Sequence, residues 1–140
     1  MTFTPEQWTG ARHLAERSVA MIADRMGFGK TAQLARALDI IGAEVVTIVV
    51  PRILAETWRR ELSQWLLFPL PVHVMQASHE KLPETGVVIV SYSLVARRKV
   101  RDKLRRRGCD VYLGCGQSRR PARRHPESRA APDYRRAPCD

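Results

Sequence analysis

The chain has 140 residues, 44% hydrophobic and 27% charged, enough for one domain of ordinary size with a real core. No apolar run approaches the ~20 residues that span a bilayer, and the opening MTFTPEQW lacks a basic-then-apolar signal pattern, so no membrane partner and an intracellular setting (cytoplasm, nucleoid or nucleus) are expected. The net charge of +10 is uneven: residues 1–96 hold nine basic and nine acidic residues, whereas residues 97–140 hold fifteen and five.

In chain order, TPEQWTGARHLAER predicts a helix. Thr4 suits its cap, Pro5 its first position, and Gln7 completes a capping box. VAMIA (19–23) is wholly apolar and predicts a strand buried on both faces. A loop with two glycines follows, and then KTAQLARALDIIG, a helix with Leu34, Ala37, Leu38 and Ile41 on one face and Gly42 as its stop.

VVTIVV (45–50) predicts a second buried strand, ended by Pro51. RILAETWRRELSQWL predicts a helix with Leu54, Trp58, Leu62 and Trp65 on one stripe. VHVM (72–75) and GVVIVSY (86–92) predict strands, and SLVARRKVRDKLRRR a very basic helix. Strands alternating with helices imply an α/β fold, a parallel sheet covered on both faces.

After Cys109 the composition turns to arginine, proline, alanine and serine, with almost nothing to bury beyond Val111, Tyr112 and Leu113. A folded lobe over 1–110 and a disordered Arg/Pro-rich tail over 111–140 are expected. The three cysteines, Cys109, Cys115 and Cys139, have no framework spacing. With His125 they match no common zinc module.

The chemistry-bearing stretch is ADRMGFGKT (23–31). It ends in the Gly-Lys-Thr of a phosphate loop but has Asp24 where the general pattern G-x-x-x-x-G-K-[ST] has glycine. In such a loop, backbone N–H groups at the positive end of a helix curve round an anion. Gly27 and Gly29 allow close approach, Lys30 reaches the β- and γ-phosphates, and Thr31 offers its hydroxyl to Mg²⁺. The competing reading of the tripeptide is a surface turn.

Four blocks, in order and correctly spaced, resemble the N-terminal part of the SWI/SNF-type helicase-like ATPases of superfamily two, over roughly residues 3–110. That family's loop reads Asp-Glu-Met-Gly-Leu-Gly-Lys-Thr; Asp24, Met26, Gly27, Gly29, Lys30 and Thr31 match it, and Arg25 and Phe28 depart from it. FTPEQWTGA looks like the family's Pro-x-Gln segment. VVTIVVPRILAETWRRELSQW is similar to its next block through Pro51, Trp58, Glu61 and Trp65, and VVIVSYSLV through Ser91 and Tyr92.

The resemblance implies a RecA-like (P-loop NTPase) first lobe. It implies that ATP is held by Gln7, at the adenine edge, and by Met26, Gly27, Phe28, Gly29, Lys30 and Thr31, with Mg²⁺ on Thr31. It further implies double-stranded DNA as the parent family's partner. Plain alternatives stand beside these roles. Gln7 can serve only the capping box, Trp58 and Trp65 the core, Ser91 and Tyr92 the end of a strand, and residues 97–107 a solvated helix face.

The family pattern continues with Trp-Asp-x-x-Ile-x-Asp-Glu-Ala-His. Asp110 stands at its first aspartate, but the 140 residues contain no Asp-Glu-x-His and no second lobe with its arginine finger. The expectation is a truncated or frameshifted fragment, with foreign sequence from about residues 108–114, that binds ATP without hydrolysing it. The alternative is a non-enzymatic basic module that binds nucleic acid without sequence preference through residues 97–140. A phosphate-loop kinase or GTPase is weaker, because no second acidic metal site or substrate element is found in the sequence.

Overall fold

A computed structural model describes residues 3–23 and 27–114. Asp24, Arg25 and Met26 of the loop, and the segment from 115 onward, lie outside the described residues.

Helix α1 (Pro5–Ala15) begins with the expected capping box. The Thr4 hydroxyl accepts the Gln7 N–H at 3.3 Å and Gln7 Oε1 accepts the Thr4 N–H at 3.1 Å. Helix α2 (Lys30–Ile41) ends at Gly42, whose left-handed backbone returns its N–H to the last carbonyls of the helix. Strand β1 (Val45–Val50) stops at Pro51, and a 3-10 turn (Arg52–Leu54) leads into α3 (Ala55–Trp65). Then come β2 (Val72–Val74), β3 (Gly86–Ser91), α4 (Tyr92–Val95), α5 (Arg98–Arg107) and β4 (Val111–Gly114).

The four strands are all parallel, in the order β2-β3-β1-β4. The fold is α/β with helices on both faces, as the alternation predicted. One face carries Val46, Ile48, Val50, Val87 and Ile89 against Leu34 and Leu38 of α2 and Leu62 of α3. The other carries Val88 and Val90 against Val100 and Leu104 of α5 and against Met75. The period of two along each strand divides its valines and isoleucines between the two cores. Trp58 and Trp65 are half-buried on the first core, the structural role weighed for them.

Three expectations are corrected. Residues 19–23 form no strand: Val19 is 82% and Met21 80% exposed. An apolar run becomes a buried strand only beside a strand that pairs with it, and the sheet of the described residues provides none there. The strand-loop-helix context read around Gly29 therefore lacks its strand. The helix foreseen over residues 93–107 is two helices, because Arg97 is extended (φ −76°, ψ 125°) and Arg101 Nη1 caps the Val95 and Ala96 carbonyls that end the first. Finally, residues 111–114, assigned to the tail, are strand β4.

Asp110 fixes that strand to the sheet. Its Oδ2 accepts the Glu44 and Val45 N–H groups, each at 2.9 Å, and its own N–H donates to the Val45 carbonyl at 2.8 Å. Topology then locates a crevice. The chain leaves β1 into α3 on one face and leaves β3, its neighbour, toward α5 on the other. Connections that part from adjacent parallel strands leave a gap beyond the strands' carboxyl ends.

Candidate functional site

The loop at 27–31 is built by its glycines and held by two carboxamides. Gly27 (φ 85°) and Gly29 (φ 72°) both have left-handed backbone, which a side chain disfavours. Gly29 caps α2 without a side-chain bond, so the first N–H groups of the helix have no side-chain acceptor at the cap. The Phe28 carbonyl is taken from two directions, by Gln7 Nε2 at 3.4 Å and Gln33 Nε2 at 3.3 Å. A Cβ on Gly29 would lie 2.6 Å from Gln7 Nε2, and one on Gly10 would lie 1.8 Å from Gln33 Oε1, so a side chain at either position would displace the carboxamide.

Gln7 completes the capping box, the plainer of the two roles read for it, and its carboxamide also touches the loop, a contact the sequence reading did not foresee. Gln33, fully buried, is a loop-holding residue the sequence reading missed. Its signal was a polar residue on the apolar face of a helix.

Further support comes from an aromatic latch. Phe3 meets Trp65 edge-on at 5.3 Å and Trp8 at 5.6 Å, and the Arg36 guanidinium lies over the Phe3 ring at 4.8 Å and the Trp8 ring at 5.4 Å. Arg36 also pairs with Asp39 at 3.4 Å, and Asp39 accepts the Leu67 and Phe68 N–H groups. This network ties the start of α1, and with it Gln7, to α2 and α3.

Glycine backbone, the first turn of α2 and the Lys30 and Thr31 positions come together at the start of α2, the kind of donor set that suits a phosphate. For Mg²⁺, Thr31 is the one protein ligand foreseen. Among the described residues no group of three or more His, Cys, Asp or Glu side chains is placed to hold a metal. Met26 lies outside the described residues. A cavity of about 250 Å³ beside the loop is lined by Glu6, Thr9, His13, Met21, Phe28 and Gln33, among others.

The larger cavity, about 330 Å³, lies at the crevice located by topology. Arg52 and Glu56 line it after β1, Gln76 to His79 after β2, and Ser91, Ser93 and Arg97 after β3. Ser91 Oγ accepts the Leu94 N–H at 3.4 Å and lies 3.0 Å from Ser93 Oγ. Ser91 therefore ends a strand, starts a helix and faces the cavity. The Arg59 guanidinium holds the Glu56 carboxyl below the usual range and engages its charge.

The basic run 97–107 divides by direction. Lys103 Nζ donates to the Ser78 carbonyl at 2.9 Å and to that of Glu80. Arg107 donates to the carbonyls of Pro83 at 2.6 Å, Gly86 at 2.7 Å and Val46 at 3.4 Å. Arg97, Arg98, Lys99, Arg105 and Arg106 are exposed. The solvated-face reading is right for these and wrong for Lys103 and Arg107. Burial pushes the Cys109 thiol up, and its Sγ donates to the Val111 carbonyl, the state of an inert structural cysteine. Cys115, His125 and Cys139 lie outside the described residues.

No helix of the described residues is long and apolar enough to cross a membrane. No family model matches the chain. It is 32% identical over 87 residues to the SWI/SNF-related matrix-associated actin-dependent regulator of chromatin subfamily A-like protein 1 of Bos taurus, a match that covers 60% of this chain and 9% of that protein. The chain thus spans under a tenth of the length of the relative it matches, and over 87 residues it is similar to a SWI/SNF-related protein.

Proposed function

We propose that the chain is an ATP-binding portion of a SWI/SNF-type helicase-like ATPase. In this reading the loop of Gly27 to Thr31 takes the ATP phosphates, Lys30 meets the β- and γ-phosphates, and Thr31 with the phosphate oxygens holds Mg²⁺. The observation that carries it is the double hold of Gln7 and Gln33 on the Phe28 carbonyl. A surface turn does not need two helices to aim one carbonyl. The likeness to a chromatin regulator supports a nucleic-acid partner and an intracellular, nuclear setting as part of the same proposal. Double-stranded DNA would lie across the cavity beyond the sheet, against Arg52, Arg97 and the serine hydroxyls.

Turnover by these 140 residues alone is not expected. Phosphoryl transfer needs metal-binding acids and an arginine finger, each worth orders of magnitude in rate, and the sequence contains no Asp-Glu-x-His. Purified protein should release no phosphate above background with or without duplex DNA. DNA-stimulated release that vanishes in Lys30→Ala would overturn this. The non-enzymatic basic module remains a second reading, favoured by the exposed cations of α5.

A further inference from the structure

We propose that Glu80 is a positioning residue that sets the wall of the DNA-facing cavity; the inference rests on the reading of that cavity as a duplex contact. The need for such a residue follows from β2. It is three residues long and, among the described residues, pairs on one side only, with β3. A short edge strand holds its exit turn weakly, yet that turn, residues 76–79, forms one side of the cavity.

Glu80 closes the turn on itself. Its carboxylate accepts the Ala77 N–H at 2.9 Å and the Gln76 N–H at 3.1 and 3.3 Å, and its N–H returns to the Ala77 carbonyl at 3.4 Å. His73 Nε2, from β2, lies 3.2 Å from the same carboxylate. From behind, the Lys103 ammonium of α5 takes the Ser78 and Glu80 carbonyls. His79 and Lys81 are the other titratable groups on its own segment. Burial works against the Glu80 carboxylate, but the N–H groups and His73 outweigh it and hold the carboxyl below its usual range.

The arrangement is more than the fold requires. Met75, 3% exposed, already anchors the end of β2 in the second core, and its N–H donates to the Ile89 carbonyl at 2.9 Å. What the ring of bonds adds is a fixed wall in the cavity that Arg52 and Arg97 also line. It also occupies the carboxylate with N–H groups, so that a negative charge beside a phosphate path is compensated locally.

The two explanations of Glu80 differ in sign. If it were only a nearby anion, Glu80→Gln would remove repulsion and strengthen DNA binding. As a positioning residue it holds the wall, so Glu80→Gln should weaken binding by roughly one phosphate contact, about three- to tenfold. The experiment uses the full chain, a short duplex followed by fluorescence anisotropy, hydrogen-exchange protection of residues 91–97 by that duplex, and ATP affinity by calorimetry. The loop of Gly27 to Thr31 sits on α2, across the sheet from α5, so ATP affinity should not change.

Weaker DNA binding with reduced protection of 91–97 and unchanged ATP affinity is the expected result. Equal or stronger DNA binding overturns the inference, as does a parallel loss of both ligands, which would mark a purely structural role. Should Glu80→Gln not fold, Glu80→Asp carries the test: it keeps the charge one methylene short, and unchanged DNA binding would again be contrary. The double variant Arg52→Ala with Arg97→Ala separates the premises. If it leaves affinity and protection unchanged, the cavity reading falls and this inference with it. If it weakens binding where Glu80→Gln does not, the inference alone falls.

Discussion

Helix α5 carries two populations of cations, and the difference between them is direction. Lys103 and Arg107 point inward and tie backbone carbonyls of the β2–β3 connection, β3 and β1, whereas Arg98, Lys99, Arg105 and Arg106 face outward. The same residue types, a few positions apart, thus act on stability in one case and on long-range charge in the other. Net charge says nothing about which is which. The period of the helix, with Val100 and Leu104 buried, does.

The largest separation should appear in stability. Arg107→Ala removes charged donors from three carbonyls and should cost about 2–3 kcal/mol in urea unfolding, while Arg105→Ala should stay within about 0.5 kcal/mol. Equal costs would erase the distinction between the two faces.

A smaller separation is expected in the salt dependence of duplex binding. Seven arginines lie in residues 115–140. Replacing all of them with serine should lower the slope of log K against log salt by about 2–4, with about −0.9 per phosphate neutralised. Arg105→Ala combined with Arg106→Ala should lower it by about 1–2, and Lys103→Met by less than about 0.5. A large effect from Lys103 would mean that its carbonyl bonds do not hold it. Cutting the chain at residue 96 is the wrong form of this test, because α5 and β4 contribute Val100, Leu104, Val111 and Leu113 to the two cores.

The fold was legible wherever local pattern and tertiary setting agree. The capping box at Thr4 and Gln7, the stop at Gly42 and the strands at 45–50 and 86–91 follow from residue type and period alone. The run at 19–23 was misread because apolarity reports a wish for burial, and only a neighbouring strand can grant it. VVTIVV has β3 on one side and β4 on the other; VAMIA has neither. The break at Arg97 depended on a side chain reaching back to two carbonyls, which no propensity encodes.

Of the candidate site, the glycines and the order of Lys30 and Thr31 were visible in the sequence, and Gln7 was visible as a capping residue, though not its contact with the Phe28 carbonyl. Gln33 was not, because its role needs α1 and α2 packed closely enough to demand Gly10. Glu80 was not, because its partners, His73 and Lys103, lie 7 and 23 residues away.

The central claim is that the loop at the start of α2 binds the phosphates of ATP. Calorimetry with Mg²⁺-ATP on the full chain and on Lys30→Ala tests it most directly. A Kd no tighter than about 0.1 mM, about 5.5 kcal/mol, is expected for the native chain, and no measurable binding for the variant. Equal affinities in the two proteins, or no binding in either at millimolar ATP, would contradict it.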